Sequence, residues 1–307
     1  MKFAVLGSIN MDLLLKMHHV PAAGESHIID SYSYLPGGKG ANSAAALARL
    51  GADVVLFGAV GLDEHGKTMR SVLQKEGVGI DGVGTGTLPT GLATVLLEQS
   101  GQNRICIYPG ANGEISDEYV EKTIAAQPDA LIMQFEIPEN TVINATAMAA
   151  ERGIRVVIDA GPAQDFPIEK LKGVYVFSPN ETECQALTGI LPTDSSSCRA
   201  ASQIIKNRTG AQFVVIKMGD KGCYVSGEGV DKFFGAYRVK AVDTTAAGDS
   251  FTAALTKALV ETGDIEYSVK FASAAGALTV QKMGALPSLP YKNEVENFLK
   301  SAGTPAE

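Results

Sequence analysis

The chain alternates short apolar runs with helix-patterned stretches, and that alternation restricts the fold more than any other feature. The runs are Phe3–Ile9, Val54–Val60, Ala130–Phe135, Arg155–Asp159, Val174–Phe177 and Phe213–Met218. Each is nearly continuous rather than polar at every second residue, the pattern of a strand covered on both faces. Between them lie helical stretches at Gly66–Glu76, Ser116–Ala126, Glu139–Arg152, Cys198–Arg208 and Tyr267–Val280. Repeated strand–helix–strand units call for right-handed crossovers and a mostly parallel sheet, so an α/β fold is expected. Ligands bind such sheets beyond the carboxyl ends of the strands. Asn10, Glu136, Asn180 and Gly219 each follow an apolar run there.

Two regions break the alternation. Residues 12–35 and 90–108 carry strand-like segments with no helix between them, and Ser100-Gly101-Gln102-Asn103 reads as a hairpin turn. They are expected to form a small separate sheet or an edge extension of the main one. No linker or internal repeat divides the 307 residues, apart from a loose tail, Ser301–Glu307. A net charge of −8 argues against nucleic acid or an anionic membrane as the main partner. Asn10 and Asp12 interrupt Phe3–Ile9 too early for a secretory or spanning segment, so a cytoplasmic location is expected. Cys106, Cys184, Cys198 and Cys223 show no C-x-x-C spacing and pair with none of the histidines, which reads as reduced structural thiols.

Asp243-Thr244-Thr245-Ala246-Ala247-Gly248-Asp249-Ser250-Phe251 sets a turn of small residues and a carboxylate where a helix pattern begins. The amides of Ala246 to Asp249 would face outward at a helix N-terminus, where the dipole favours an anion such as a phosphoryl group. Asp249 would then be placed to take the proton of an attacking hydroxyl; the plain alternative is an ordinary helix cap. Far upstream, Pro36-Gly37-Gly38-Lys39-Gly40-Ala41-Asn42-Ser43-Ala44 runs into the alanine-rich helix Ser43–Leu50. Its glycines permit close backbone approach, while Lys39 and Asn42 suit a polyhydroxylated ligand.

A rival phosphate motif is present. Gly61-Leu62-Asp63-Glu64-His65-Gly66-Lys67-Thr68 matches G-x-x-x-x-G-K-[ST], and Arg155–Asp159 would supply a metal-binding aspartate after a strand. Asp63 and Glu64 argue against it, because two carboxylates would face the phosphate oxygens. No dinucleotide fingerprint starts at Gly7, and Gly84-Thr85-Gly86 precedes no helix pattern.

The two glycine-rich segments, taken with Gly7-Ser8-Ile9-Asn10-Met11-Asp12 and Ser178-Pro179-Asn180-Glu181-Thr182-Glu183, resemble the PfkB carbohydrate kinase family, and most of all its ribokinase type. The resemblance runs from about Phe3 to Leu299. It implies a single catalytic domain over 1–307, a ribokinase-like three-layer α/β/α domain with a mostly parallel central sheet and a small β-sheet lid over a sugar site. It implies ATP-dependent phosphorylation of the primary hydroxyl of D-ribose, with fructose, deoxyribose, ketodeoxygluconate or a nucleoside as other acceptors. A non-catalytic sugar sensor on the same fold is the alternative of another class.

By the same resemblance Asp249 would be the general base, with the amides of Ala246, Ala247 and Gly248 stabilising the transferred phosphoryl. Asn10, Asp12, Gly38, Lys39, Asn42 and Glu136 would bind the sugar. Asn180, Lys217, Gly219, Gly222, Gly248 and Ser273 would contact the nucleotide. Asn180 and Glu183 would hold Mg²⁺ through water, and Asp243, Thr245, Thr279, Lys282, Gly284 and Ser288 would hold an activating K⁺. A homodimer through the lid is implied, with the sugar and ATP as small-molecule partners. The chain departs from the family's usual pattern at three points. Ala246 replaces a glycine and would need an unstrained backbone, Lys217 stands where a hydroxyl residue is common, and Asp159-Ala160-Gly161-Pro162-Ala163 replaces an asparagine–proline sequence.

Overall fold

The computed structural model describes residues 1–100 and 102–303. In chain order the strands are β1 (Lys2–Leu6), β2 (Asn10–Met17), β3 (Ser31–Gly37), β4 (Asp53–Val60), β5 (Gly79–Thr85), β6 (Gly91–Glu98), β7 (Asn103–Tyr108), β8 (Ala130–Met133), β9 (Arg155–Asp159), β10 (Val176–Ser178), β11 (Phe213–Lys217), β12 (Cys223–Gly227) and β13 (Val230–Phe234). The helices are α1 (Lys39–Arg49), α2 (Glu64–Lys75), α3 (Asp117–Ala125), α4 (Glu139–Glu151), α5 (Glu181–Thr188), α6 (Ser195–Thr209), α7 (Ala247–Thr262), α8 (Ile265–Thr279) and α9 (Lys292–Ser301). The proposed hairpin turn includes Gly101, and the tail includes 304–307; these residues lie outside the described part.

One sheet has the order β13-β12-β11-β10-β9-β8-β1-β4-β5. Its strands run parallel from β11 to β5, and the β12–β13 hairpin extends one edge antiparallel. Alternation of side chains explains why the apolar runs are unbroken. Phe3 and Val5 join one core with α1, α2, α7, α8 and α9, while Ala4 and Leu6 join the opposite core with α3 to α6. Helix ends follow local chemistry. Asp63 caps α2 by accepting from the Gly66 amide, Asn180 and Glu183 form a capping box on α5, and glycines 189, 210 and 263 close α5, α6 and α7 in the left-handed region.

The irregular regions form a second, four-stranded sheet of order β3-β2-β6-β7, not an edge extension of the first. It stands over the carboxyl ends of the parallel strands because β2 begins at Asn10, only a short turn after β1 ends at Leu6. The expected run Phe3–Ile9 therefore yields a strand only to Leu6, and Asn10 opens the lid strand two residues before the expected 12–35 region, in which Asp12 lies as expected. The run Val174–Phe177 yields a strand only from Val176, and Ala130–Phe135 stops at Met133, where the chain turns into the site. Three strands gave little apolar signal. β5 is glycine-rich, and β12 and β13 carry polar residues on a sheet edge.

Candidate active site

The site is built where α1 and α7 point their N-termini at the same space under the lid. Ala246 precedes α7 with φ 62 and ψ 5, a left-handed conformation that costs an L-residue about 1 kcal/mol. The expectation of an unstrained backbone there is corrected: the turn needs this conformation to aim its amides outward, whether or not the residue is glycine. The Ala247 amide donates to Thr244 O at 3.2 Å. Among the described residues the Gly248 and Asp249 amides have no backbone acceptor, so they remain for an anion.

Asp249 is 3% exposed, and its two oxygens are held from α1. Asn42 Nδ2 donates to Oδ2 at 2.8 Å, and Lys39 Nζ approaches Oδ1 at 3.3 Å. Gly38 makes this approach possible, since its φ is 94 and an added Cβ would lie 2.7 Å from the Asn10 amide nitrogen. Burial opposes the charge on Lys39, but the carboxylates of Asp249, Asp159, Glu136 and Glu183 outweigh it and hold the pKa well above its ordinary value.

Glu136 follows β8 and accepts from Ser8 Oγ at 2.6 Å. Asp12 descends from the lid onto the same wall. Burial, then the charges of Glu136 and Asp249, lift its pKa from 3.8 to about 7. Asp12 Oδ1 and Asn42 Oδ1 are both buried acceptors without a donor. Buried acceptors are ordinarily paired, so two of them in one cleft call for a ligand that brings hydroxyl donors.

The nucleotide side is less enclosed. Gly219 has φ 56 and faces open space, whereas a Cβ on Gly222 would strike the Phe234 carbonyl, so Gly222 also serves the packing of β13. Lys217 reaches back from the end of β11 to Asp159 Oδ2 at 2.8 Å. An added Cβ on Gly276 would lie 3.8 Å from the Ala247 carbonyl, which sets α8 beside the start of α7. Half-buried Ser273 is one turn earlier on that helix.

The two cation sets were tested against their donors. Asn180 donates from its amide and from Nδ2 to the Glu183 carboxylate, at 2.7 and 3.1 Å. Burial raises the Glu183 pKa, and each of its oxygens keeps a lone pair for bound water. Asp243 accepts from the Thr245 amide and hydroxyl and from the Gly284 amide, joining two loops. Burial opposes its charge, but these bonds hold its pKa below the ordinary value. The Thr279 and Ser288 hydroxyls are spent on Ala275 O and Ala285 O, and Lys282 Nζ is turned outward to Glu294. Those bonds use the hydroxyl hydrogens and leave oxygen lone pairs on Thr279 and Ser288 for a cation, whereas Lys282 offers only its main-chain oxygen.

Residues 1–292 match the pfkB family of carbohydrate kinases. The chain belongs to that family. A ribokinase of Haemophilus influenzae is 37% identical, over 97% of this chain and 98% of that protein. A ribokinase of Arabidopsis thaliana is 36% identical, over 96% of this chain and 80% of that protein. Among solved structures, Arabidopsis thaliana ribokinase complexed with ribose and ATP matches with a TM-score of 0.88 at 34% identity, covering 97% of this chain and 98% of that one. Thermotoga maritima ribokinase matches with a TM-score of 0.87, also at 34% identity, covering 97% and 99%. The ribokinase-type α/β/α fold with its small second sheet is thereby established. As a pfkB kinase the chain is a phosphotransferase with an alcohol acceptor.

The rival phosphate loop has another use in this pfkB chain. Asp63 accepts from Gly66 and from the Thr90 amide and hydroxyl, pinning the start of α2 to the segment before β6. Lys67 is exposed and pairs with Glu64. Several residues of the site escaped the motif reading. Asn112 is 1% exposed, accepts from the Ile9 amide at 2.8 Å, and donates to Asn10 Oδ1 at 2.8 Å. Nothing in its local sequence signals that role. Ser8, Asp159 and Thr252 likewise have side-chain partners distant in sequence. On the loop after β2, the ligand atoms of His19, Glu25 and His27 lie within 4.8 Å of one another, which residue spacing did not announce.

Proposed function

We propose that this chain is an ATP-dependent kinase that phosphorylates the primary hydroxyl of D-ribose, giving ribose 5-phosphate and ADP. The observation that carries the reading is the pair of donorless buried acceptors, Asp12 Oδ1 and Asn42 Oδ1, beside a carboxylate at an anion-ready helix end. The named activity of the relatives supports the choice of sugar.

In this reading Asn10, Asp12, the Gly38 backbone, Lys39, Asn42 and Glu136 pair with the sugar hydroxyls, and an acceptor lacking one leaves a buried group unpaired. Asp249 takes the proton of the primary hydroxyl as its oxygen attacks the γ-phosphorus. The bond from that phosphorus to the β–γ bridging oxygen breaks, and its electron pair leaves on ADP. The amides of Ala246, Gly248 and Asp249 hold charge on the phosphoryl oxygens, with Ala247 contributing if its bond to Thr244 yields. Gly219, Gly222, Lys217 and Ser273 line the path of the nucleotide. Magnesium held through water by Asn180 and Glu183 supplies charge neutralisation at the phosphates. Potassium would be held by oxygens of Asp243, Thr245, Thr279, Lys282, Gly284 and Ser288 and would supply a fixed positive charge.

We also propose that 1–307 act as one catalytic domain whose lid sheet closes over the sugar and excludes water. The lid surface supports a homodimer. Leu14, Val95, Ile105 and Ile107 share the face of Asp12 by register, and Ile105 remains 54% exposed. No helix among the described residues is long and apolar enough to cross a membrane, and the use of ATP supports a cytoplasmic location.

The test is ADP release over a panel of ribose, deoxyribose, fructose, ketodeoxygluconate and nucleosides, with potassium and then sodium as the monovalent cation. Ribose-dependent, potassium-stimulated turnover is expected, abolished in Asp249→Asn with ribose binding retained. Preference for another acceptor would overturn the substrate, and full activity of Asp249→Asn would overturn the base.

A further inference from the structure

Two of the departures from the family pattern meet in space. Lys217 stands where a hydroxyl residue is common, Asp159 opens the segment that differs from an asparagine–proline sequence, and Lys217 Nζ donates to Asp159 Oδ2 at 2.8 Å. The pair is nearly out of solvent, with side-chain exposures of 13% and 1%. Removing two charges from water is costly, and a neutral pair of similar size would serve packing at least as well. A buried pair at this spot therefore calls for a use of the charge.

The geometry shows one. An added Cβ on Gly248 would lie 3.6 Å from Lys217 Nζ, so the ammonium overhangs the first turn of α7 and its free Gly248 and Asp249 amides. Asp159 is anchored from that same helix. Thr252, one turn after Asp249, donates to Asp159 Oδ2 at 2.7 Å, and the Gly161 amide donates to Oδ1 at 3.3 Å. Of the three ammonium donors only one is spent on Asp159. Lys39 Nζ is directed to the Asp249 carboxylate at 3.3 Å and also lies close to Gly161, so Lys217 is the ammonium nearer Gly248.

We propose that Lys217 is a catalytic residue of this kinase, donating from Nζ to a non-bridging oxygen of the transferred phosphoryl, and that Asp159 is the positioning residue that aims it. The assignment rests on the kinase reading above and deepens it. A phosphoryl anchored by the Gly248 and Asp249 amides would sit within reach of the ammonium, which adds charge where it develops in the transition state. Asp159 pins the lysine before ATP arrives, so little side-chain entropy is lost on binding.

The test compares Lys217→Met, Lys217→Arg and the neutral double variant Asp159→Asn/Lys217→Met with the wild-type protein. Four quantities are read: kcat and KM for ribose, ATP and ADP dissociation constants without sugar, and the thermal midpoint. Lys217→Met should lower kcat on the order of 100-fold with ribose KM nearly unchanged, and weaken ATP more than ADP. Lys217→Arg should keep most of the ATP-over-ADP preference. The double variant leaves no unpaired ion, so its midpoint should return toward wild type while kcat stays low. Recovery of kcat with the midpoint, or an unchanged kcat in Lys217→Met, would show a structural bolt between β9 and β11 and overturn the proposal. If the wild-type protein turned over no ribose, the substrate reading would fail separately. The ATP-over-ADP preference of Lys217→Met would still decide the phosphoryl contact.

Discussion

Asn42 Nδ2 donates to Asp249 Oδ2 across 2.8 Å, joining the first turns of two helices whose residues stand 207 positions apart. The bond turns the Asp249 carboxylate so that Oδ1 faces Lys39 and the cleft, and it leaves Asn42 Oδ1 free for a ligand. The proposed base and a proposed sugar contact are thus set by one amide side chain.

Asp12 makes the empty site sensitive to pH. Burial and the neighbouring Glu136 and Asp249 raise its pKa to about 7, so the native state holds a proton that the unfolded chain releases. The stability from this group is complete below about pH 4 and is lost as pH rises to about 7, at most about 4 kcal/mol. Asp12→Asn should therefore raise the thermal midpoint of the sugar-free protein near pH 8 and leave it unchanged near pH 4. Ribose affinity should move the other way, tightening with rising pH as the carboxylate ionises, and the asparagine variant should lose that slope. Calorimetric titrations at three pH values check the second arm; a flat wild-type profile would refute it.

Ala246→Gly should stabilise the protein. Relief of about 1 kcal/mol of left-handed strain, less at least about 0.4 kcal/mol for the added freedom of the unfolded chain, leaves up to about 0.6 kcal/mol, or roughly 1 °C in melting temperature for a chain of this size. Turnover should stay within about twofold, because the amide directions are unchanged. A lower melting temperature would contradict the observed φ of 62.

Asn112→Ala should loosen the junction between β1 and the lid. It strands the Ile9 amide and removes the donor to Asn10 Oδ1, a loss of about 2–3 kcal/mol for buried groups. Denaturant melts should show this, and ribose KM should rise more than ATP KM, since Asn10 belongs to the sugar wall. Equal changes in both would assign Asn112 to general stability instead.

Lys67→Ala should leave kcat within about twofold. Its ammonium is exposed and paired only with Glu64, a surface pair that solvent screens. A collapse of ATP turnover in this variant would revive the phosphate-loop reading.

Ile105→Asp should convert a lid-mediated dimer into monomers. The substitution sets a charge at the exposed edge-strand end of the apolar row Leu14–Val95–Ile105. Sedimentation velocity at micromolar protein checks it, and a wild-type monomer would refute the interface outright.

The unbroken runs such as Val54–Val60 and Arg155–Asp159 announced a parallel sheet because a strand covered on both faces has no polar side to show. The glycine-rich segments announced an anion-binding turn and a polyol loop because those backbones need small residues wherever they occur. The resemblance those segments carry then named the bases, walls and loops together. β5, α5 and α9 were less visible, since their residues are polar or glycine-rich and acquire a place only by packing on a neighbour.

Amino-acid order by itself determined the α/β architecture, and it marked the helix end at Ala246–Asp249 as suited to an anion with Asp249 as the candidate base, because periodicity, capping and glycine requirements are local. Tertiary structure alone decided that Asp12 would carry a raised pKa, that Asn112 would bolt the lid to β1, and that Lys217 would meet Asp159. Each of these depends on charges or hydrogen-bond partners brought together from distant positions, and electrostatic energy is set by separation in space rather than along the chain.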